Sequence, residues 1–391
     1  MLSERLLPFT YTRPSCEILV GIWNIREKWE HAFGRSISYK VFRSYLSTKF
    51  PFKISDDNVY VNGRILPDNA LVDAIQNLGV GQVLKKEGTI LAIRSNSIVE
   101  RFETEALQLI GFDLFEYNAE VGILQFPNDI FTLNGSEIKK DFDKITFGRI
   151  SSTLDVSNRV VGESNLFVEE GVVVTNAIIN ASNGPVYLAK DSEIMDGAII
   201  RGPFCLGEHS TVKMGAKIYG DTSIGPHCKV GGEISNSVVF GYSNKGHDGF
   251  MGNSVIGEWC NWGADTNNSN LKNNYDMVKL WDYTTGRFRS TGLQFCGLMM
   301  GDHSKCGINT MFNTGTVVGV GANIFGSGFP RNFLPDYTWG GAQGFETFQF
   351  AKFLQTAEKV MQRRGVALDE AYKNILLTVY NETAQYRNWE K

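Results

Sequence analysis

The sequence of 391 residues lacks several features that would assign it to a membrane, secreted or nucleic-acid-binding class. No apolar run approaches the roughly 20 residues of a membrane-spanning helix. The opening stretch MLSERLLPFTYTRP has no long apolar core of the kind that a secretory signal carries. The net charge of −4 argues against a nucleic-acid backbone as the main partner. We therefore expect a cytoplasmic protein that binds neither membrane nor nucleic acid.

Cysteine and histidine are also scarce, with six and five residues. No cysteine pair has CxxC spacing, and His209, His227 and His303 stand at turn positions without acidic or cysteine residues at metal-ligand spacing. We therefore expect no metal site of the zinc type. Cys228 and Cys306 fall on inward positions of the repeat described next. Both are expected to be reduced core residues, neither paired in a disulfide nor acting as a nucleophile.

A six-residue period runs through residues 188–230. An aliphatic residue stands at every sixth position, and the residue two places before it is mostly small. The aliphatic positions are Leu188, Ile194, Ile200, Leu206, Val212, Ile218, Ile224 and Val230. This period fits neither a 3.6-residue helix nor a two-residue strand alternation. It predicts a hexapeptide β-helix, in which each repeat makes one short strand and one corner.

The same period extends to both sides of that stretch. Three residues are inserted at 183–185, and the period blurs between 234 and 298. The inward positions outside the central stretch are Val161, Phe167, Val173 and Ile179 before it, and Met300, Cys306, Phe312, Val318 and Ile324 after it. The pattern predicts one β-helix over about 158–328, within a domain of residues 158–343, with an elaborated middle.

Residues 1–150 are predicted to form a separate α/β domain. Apolar runs of strand length alternate there with stretches that have helix-start chemistry. The strands are expected at 59–66, 82–84 and 89–93, and the helices within 17–29 and at 67–75. Such alternation indicates a mixed sheet with helices.

Residues 344–391 are predicted to be a helical extension. Apolar residues recur at helical spacing up to Gly365 and again over 368–380, so we expect two helices that pack on a coil or on a neighbouring subunit. Before them, residues 279–289 are typical of a hairpin about a Gly turn, projecting from the β-helix.

The irregular middle resembles the acetyltransferase half of the bifunctional N-acetylglucosamine-1-phosphate uridyltransferase/glucosamine-1-phosphate acetyltransferase family. The matching residues are Gly-His-Asp-Gly-Phe-Met-Gly-Asn-Ser-Val-Ile-Gly at 246–257 and Asn-Trp-Gly-Ala at 261–264. The family pattern is His, three residues to Tyr, then Gly, Ile-Gly and Asn-x-Gly-Ala. This resemblance implies a left-handed β-helix, a homotrimer, and acetyl-CoA as the co-substrate.

The resemblance also implies roles for individual residues. His247 takes the position of the catalytic base, and Asn261 that of a substrate contact. Asn270 and Lys279 stand where relatives contact the sugar phosphate. Phe250 replaces a family Tyr whose hydroxyl helps to hold that phosphate. The residues expected along the acetyl-CoA groove are Gly263, Ala264, Cys306 and Gly307.

Acetyl transfer to an amino sugar needs a proton acceptor, a donor to the thioester oxygen, and juxtaposed substrates. A histidine suits the first role because its ordinary pKa lies near 6.5. Either Glu233 or Asp248 is the candidate acid to orient His247. The N–H groups of Gly263, Ala264 and Gly307 are candidate oxyanion donors, although corner glycines have the same pattern.

Basic residues on the predicted hairpin are candidates to replace the missing phenolic hydroxyl at Phe250. Lys279, Arg287 and Arg289 are the candidates, since each can meet an anionic substrate. The same charges also have a simpler interpretation as solubilising groups.

The N-terminal segment Leu-Pro-Phe-Thr-Tyr-Thr-Arg-Pro at 7–14 resembles the start of sugar-1-phosphate nucleotidyltransferases. In those enzymes a Gly-rich loop precedes the segment and a Lys follows Arg-Pro. Here no such glycines stand before Leu7, and Ser15 replaces the Lys. The whole chain most resembles Bacteroidetes-type two-domain relatives, in which the first domain is divergent.

The sequence therefore supports a leading hypothesis and two alternatives. The leading one is an acetyl-CoA-dependent N-acetyltransferase acting on an amino-sugar phosphate, glucosamine 1-phosphate, in UDP-N-acetylglucosamine synthesis. The second is a sugar-1-phosphate nucleotidyltransferase using UTP or dTTP with Mg²⁺. The third is a non-catalytic trimer that binds a nucleotide sugar.

Overall fold

The computed structural model describes residues 2–99 and 111–390. Its N-terminal part holds a four-stranded sheet, a two-stranded sheet and three helices. In sheet order the four strands are Asn58–Val61, Thr89–Ser95, Gln82–Lys86 and Asp113–Glu116, and the pair is Ile65–Leu66 with Gly122–Ile123. The helices are α1 (Ile25–Phe33), α2 (Asn69–Gln76) and α3 (Pro127–Thr146). The predicted α/β class is confirmed.

The N-termini of helices α1 and α2 are each capped by the side chain of the preceding residue. The Asn24 side chain accepts from Glu27 N at 2.8 Å while the Glu27 carboxylate accepts from Asn24 N at 3.0 Å, which is a reciprocal capping box. Asp68 caps α2 by accepting from Leu71 N at 2.8 Å. Helix α1 ends at Gly34, whose φ of 64° is the left-handed conformation of a helix C-terminus.

Helix α3 was not predicted from the sequence, although it is the longest helix described. Its buried face carries the polar residues Asn134, Glu137 and Asp141, so the usual apolar periodicity is broken. Glu137 and Asp141 are paired within the N-terminal domain, whereas Asn134 also bonds to the solenoid. Asp141 and Glu137 bind Lys28, and Asn134 Oδ1 accepts from Gly21 N at 2.7 Å and Ser223 Oγ at 2.9 Å. Polar partners thus replace apolar contacts along this helix.

The central part of the chain is a parallel β-solenoid with three faces. We name the faces by their order along the chain. The first face contains Arg159–Val161, Ile178–Asn180, Ile199–Arg201, Lys217–Ile218, Glu233–Ser235 and Phe250–Gly252. The second face contains Leu166–Val168, Val186–Leu188, Phe204–Leu206, Thr222–Ile224, Val238–Val239, Val255–Ile256, Met299–Met300, Val317–Val318 and Phe333–Leu334.

The third face carries one antiparallel strand at its end. Its strands are Val173–Val174, Glu193–Ile194, Thr211–Val212, Lys229–Val230, Asn244–Lys245, Asn261–Trp262, Lys305–Cys306, Asn323–Ile324 and Thr338–Gly341, with Gly344–Thr347 antiparallel to the last. A further parallel pair, Asn267–Asn268 with Met311–Phe312, lies beyond the end of the first face. The predicted fold class, an α/β domain followed by a parallel β-helix and helices, is confirmed.

The six-residue period corresponds to the interior of the solenoid. All eight aliphatic residues from Leu188 to Val230 are at most 2% exposed, and so are the small residues from Ser192 to Cys228 that precede them. The later positions, from Met300 to Ile324, are buried as well. All six cysteines are free thiols, and Cys228 and Cys306 lie inside the solenoid as predicted.

The predicted period was wrong in the first coils. Val161 and Val173 are 41% and 52% exposed, and the inward residues there are Val168 and Val174, which pair with Leu188 and Ile194. Ile179 pairs with Ile200, so the step from Val174 to Ile179 is five residues where the next coil uses six. This one-residue deletion shifts the pattern. The solenoid also continues past residue 328 through Phe333–Leu334 and Thr338–Gly341.

Aromatic rings form a ladder at the corner between the second and third faces. His209, His227, Tyr242, Trp259 and His303 stack in succession, with centroids 4.1–6.1 Å apart and planes within 20° of parallel. Each of these five residues has a positive φ of 56–62°. The turn position predicted for the three histidines is therefore confirmed. The ladder is exposed at His209 and buried at His303.

Two C-terminal helices cover the last coils, as predicted. They are α4 (Phe350–Gln362) and α5 (Glu370–Glu382). The Tyr337 hydroxyl donates to the Leu376 carbonyl at 2.7 Å, so the helices pack on a coil of their own chain. Within the part of the chain that the structure describes, no helix is long and apolar enough to cross a membrane.

The predicted hairpin is present as Lys279–Asp282 paired with Arg287–Ser290. It does not project freely, however. Leu280 and Tyr283 are buried against the N-terminal domain and the second face, and Trp281 stacks on Phe333 with centroids 4.2 Å apart. The hairpin therefore fills the space between the parts of the molecule.

Candidate active site

His247 lies on an exposed loop, residues 246–249, between the third face and the first face. The loop joins Asn244–Lys245 to Phe250–Gly252. Backbone hydrogen bonds attach it to the coils on both sides: Glu233 N donates to the Gly249 carbonyl at 3.2 Å, and Asp265 N donates to the Asp248 carbonyl at 3.1 Å. Just before the loop, Gly231 N donates to the Lys245 carbonyl at 2.7 Å. The imidazole is thus presented to solvent from a backbone that is anchored at both ends.

Lys245 is a site residue that the sequence reasoning missed. It occupies an inward position, 3% exposed, and its Nζ donates to the carbonyls of Gly231 at 2.9 Å and His247 at 3.0 Å. Burial lowers its pKa to about 8, although Asp248 and Asp265 favour the charged form. One sequence feature could have indicated it: a Lys stands at an inward position, where the repeat otherwise has an uncharged residue, and this is the region in which the six-residue period blurs.

Phe250 and Asn270 come together on the first face. A Cβ added to Gly252 would lie 2.6 Å from both the Phe250 ring and Asn270 Nδ2, so the two side chains cover the same glycine. Asn270 Nδ2 also donates to Asn253 Oδ1 at 2.7 Å. His247 precedes Phe250 by three residues, on the loop that leads into this strand.

Side-chain amides replace part of the strand ladder beside Phe250. Asn267 Oδ1 accepts from Phe250 N at 2.7 Å, and Asn268 Oδ1 accepts from Gly252 N at 3.1 Å. This is where the regular six-residue coil ends. The first face is consequently interrupted directly above the strand that carries Phe250.

Two predicted oxyanion donors are already engaged. Gly263 N donates to the Cys306 carbonyl at 3.0 Å, and Gly307 N donates to the Ile324 carbonyl at 2.8 Å. A Cβ on Gly263 would lie 2.3 Å from the Gly307 carbonyl carbon, so this glycine serves close packing at a corner. Neither amide is available to an oxyanion, and that part of the prediction was wrong. The interpretation as corner glycines holds instead.

The remaining predicted groove residues differ in accessibility. Ala264 lies at the corner next to the His247 loop, and its carbonyl accepts from Asn309 N at 2.8 Å. The Cys306 side chain faces the interior, where burial raises its pKa to about 11. A neutral thiol inside the solenoid cannot touch a ligand in a surface groove, so only the backbone of Cys306 is left for that role. Asn261 is exposed on the third face.

The hairpin cations Lys279 and Arg289 contact other parts of the chain. Lys279 is exposed, and its backbone packs against Gly315, whose added Cβ would lie 2.5 Å from the Lys279 carbonyl oxygen. Arg289 Nη2 donates to Asn128 Oδ1 at 2.8 Å, and its guanidinium lies 3.5 Å from the Phe126 ring centroid. Arg289 is therefore engaged with the N-terminal domain. Its role as a phosphate contact stays a prediction.

The structure does not select either candidate acid, Glu233 or Asp248, as the group that orients His247. Glu233 pairs with Phe250 across the first face, and Asp248 follows His247 on the same loop. Among the hydrogen bonds and ion pairs of residues 2–99 and 111–390, none joins either carboxylate to the imidazole. Both alternatives stay predictions.

The Thr-Arg-Pro segment at the N-terminus is docked on the solenoid. Thr12 Oγ1 donates to Asp302 Oδ2 at 2.6 Å, and the Arg13 guanidinium binds both Asp302 and, at 3.1 Å, Glu258. Arg13 is 6% exposed and also lies over the Phe240 ring. The segment that resembles a nucleotide-binding motif thus holds the two parts of the molecule together.

The N-terminal domain encloses a cavity of about 670 Å³. Its lining is rich in aromatic and basic side chains, among them Trp29, Arg35, Phe52 and Arg64. Arg64 is 3% exposed, and burial lowers its pKa to about 10 while its Nη1 donates to the Leu124 carbonyl at 3.3 Å. Such a cavity fits an anionic ligand that carries a planar ring.

The cavity lining does not fit Mg²⁺. Among the described lining residues the carboxylate is that of Asp57, and Arg94 Nη2 donates to it at 2.6 Å. Groups of three or more His, Cys, Asp or Glu side chains that could hold a metal are also absent from the described residues. A divalent cation there would need ligands from a bound substrate.

The fold and the site define a two-part protein, an α/β domain docked on a β-solenoid with an exposed histidine corner. Residues 2–150 match the family model described as sugar nucleotidyl transferase. This match covers the N-terminal domain and none of the solenoid.

Two curated proteins are similar to the chain over part of its length. A bifunctional sugar-1-phosphate nucleotidylyltransferase/acetyltransferase of Sulfurisphaera tokodaii is 35% identical over 144 residues, which is 36% of this chain and 35% of that protein. The bifunctional protein GlmU of Methanocaldococcus jannaschii is 33% identical over 87 residues, 22% of this chain and 21% of that protein. The chain thus matches about a third or less of the length of these relatives.

A solved structure of an Arabidopsis UDP-N-acetylglucosamine acyltransferase is similar over 55% of this chain and 78% of the acyltransferase chain. The sequence identity is 18% and the TM-score 0.24.

Proposed function

We propose that the protein is an acetyl-CoA-dependent N-acetyltransferase that acts on an amino-sugar phosphate, glucosamine 1-phosphate, in UDP-N-acetylglucosamine synthesis. The observation that carries the proposal is the exposed His247 at an anchored solenoid corner, with Phe250 and Asn270 on the adjoining face. The Sulfurisphaera relative is a bifunctional sugar-1-phosphate nucleotidylyltransferase/acetyltransferase, which supports the same class of reaction.

The proposed reaction is a direct transfer. His247 accepts the proton that the sugar amine loses as its nitrogen attacks the thioester carbonyl, and the thiolate of CoA leaves. The buried, neutral Cys306 favours this route over an acyl-enzyme. Ala264 at the neighbouring corner is the remaining candidate donor to the thioester oxygen. Asn261 and Asn270 are proposed sugar contacts.

We further propose that the active unit is a homotrimer in the cytoplasm. The first face leaves Ile178 and Ile199 more than 40% exposed, and Met214 at the adjoining corner is 71% exposed. A second copy would bury these side chains and close the His247 corner, with Lys279 supplied by a neighbouring chain. Six free thiols favour a reducing compartment.

The proposal is tested by CoA release from acetyl-CoA with glucosamine 1-phosphate. We expect activity in the wild type and a loss of about 10²- to 10⁴-fold in kcat for His247→Ala, the range that a general base contributes. His209→Ala is the matched control, because His209 is a half-exposed histidine on another corner. An inactive wild type, or a His247→Ala variant as fast as the control, would refute the proposal.

The basic cavity and the family match favour a second candidate for the N-terminal domain, nucleotidyl transfer to a sugar phosphate or binding of a nucleotide sugar. Mg²⁺-dependent pyrophosphate release from UTP or dTTP measures turnover. Binding of a nucleotide sugar without turnover in this assay and in the CoA assay would favour a non-catalytic trimer.

A further inference from the structure

Lys245 stands where the solenoid otherwise places uncharged side chains. The inward residues on successive strands of the third face are Val212, Val230, Lys245, Trp262, Cys306 and Ile324. Lys245 pairs in register with Val230 and is 3% exposed. A buried ammonium group is costly unless its hydrogens are bonded, so an aliphatic residue would suit a purely structural role better.

The two hydrogen bonds of Lys245 converge on the His247 corner. Its Nζ donates to Gly231 of the preceding coil and to the carbonyl of His247 itself, at 2.9 and 3.0 Å. Gly232 provides the room, since a Cβ there would lie 2.9 Å from Nζ. The lysine thus connects the backbone of His247 to a regular coil from the inside of the solenoid.

The His247 loop has a glycine at each end, and the two ends differ in packing. Gly249, with a φ of 112°, lies against the Thr266 backbone, where an added Cβ would be 2.1 Å from the carbonyl oxygen. Gly246 has open space around it, so the lysine supplies the connection at the end that side-chain packing leaves free. Holding the His247 carbonyl fixes the backbone from which the imidazole extends. We propose that Lys245 is the positioning residue for His247, an inference that rests on the proposed role of His247 as the base.

The test compares Lys245→Met with Lys305→Met. Lys305 is a matched lysine on the same face: its Nζ donates to the His303 carbonyl at 2.9 Å and burial lowers its pKa to about 8, but its acceptor lies at another corner. Because a misplaced catalytic group slows chemistry without removing ligand contacts, kcat of Lys245→Met should fall about 10- to 100-fold. We expect an unchanged KM for acetyl-CoA, and kcat within about twofold of wild type for Lys305→Met.

Hydrogen exchange gives a readout that does not depend on activity. The amides of Asp265 and Glu233, which donate to the loop carbonyls of Asp248 at 3.1 Å and Gly249 at 3.2 Å, should exchange faster in Lys245→Met than in the wild type and in Lys305→Met. If the wild type releases no CoA, the proposed function fails while this measurement still decides the role of Lys245. Equal exchange in the two variants, or equal kcat where activity is present, would overturn the inference. If Lys245→Met does not fold, Lys245→Gln and Lys305→Gln are compared instead, with the same measurements and the same expected results.

Discussion

Adjacent residues on one strand of the solenoid meet opposite environments. Ile199 is 44% exposed on the outer surface of the first face, whereas Ile200 is fully buried inside. The two side chains have the same chemistry and the same backbone conformation class. Their comparison isolates the contribution of interior packing to stability.

Ile200→Ala should lower the free energy of unfolding by about 2–5 kcal/mol, because it removes buried methyl groups and leaves a cavity. Ile199→Ala, the matched control, should change it by about 0.5 kcal/mol, as exposed substitutions do, at a protein concentration at which the chain is monomeric. Chemical denaturation of both variants measures the difference. Equal losses would contradict the assignment of the six-residue period to the interior.

At the scale of the elements, α5 docks on the solenoid through a buried histidine. His303 Nε2 lies 3.0 Å from the Tyr372 hydroxyl, and its Nδ1 has no hydrogen-bond partner among residues 2–99 and 111–390. Burial, with Lys305, Lys49 and Arg13 nearby, holds the pKa of His303 well below its usual value. The docking of α5 therefore requires a neutral imidazole.

This pKa predicts a pH dependence of stability. Below about pH 6.5 the unfolded histidine binds a proton while folded His303 does not, so stability is lost as the pH falls, by about 1.4 kcal/mol per unit until the folded pKa is reached. Thermal unfolding between pH 7 and 5 should show a shallower slope for His303→Gln than for the wild type. His209→Gln serves as the control and should keep the wild-type slope. An unchanged slope in His303→Gln would contradict the assignment.

The solenoid was predictable because its interior requires an aliphatic side chain at every sixth position. The prediction failed where that spacing changes: a one-residue deletion between Val174 and Ile179 moved the early inward positions. Helix α3 could not be predicted from apolar periodicity, since its buried face binds Lys28 and Ser223 through polar side chains. Its signal lies in partners that are distant in sequence.

The candidate site was predictable only in part. The residues around His247 were found through a local pattern that resembles a known family. Lys245 was not, because its role depends on the inward direction of its side chain. The N–H groups of Gly263 and Gly307 donate to carbonyls of the next coil, and these hydrogen bonds could not be predicted from the local sequence either.

At the scale of the whole molecule, buried charges join the N-terminal domain to the solenoid. Arg13 binds Asp302 and Glu258 at one point. At a second point the Ser223 hydroxyl lies 2.7 Å from the Gly21 carbonyl and 2.9 Å from Asn134 Oδ1. Removing one member of a buried pair leaves an uncompensated charge, so this interface favours a fixed arrangement of the two parts. The Thr-Arg-Pro segment therefore contributes to the contact between the N-terminal domain and the solenoid.

Direct acetyl transfer to an amino-sugar phosphate at the His247 corner is the step on which the proposed function depends most. A single-turnover reaction with acetyl-labelled acetyl-CoA and glucosamine 1-phosphate, followed by mass spectrometry of sugar and protein, tests it most directly. We predict label in the N-acetyl group of the sugar phosphate and none on the protein for the wild type, with label almost absent from the sugar for His247→Ala. Label on a cysteine, or an N-acetylated product formed equally well by His247→Ala, would contradict the account.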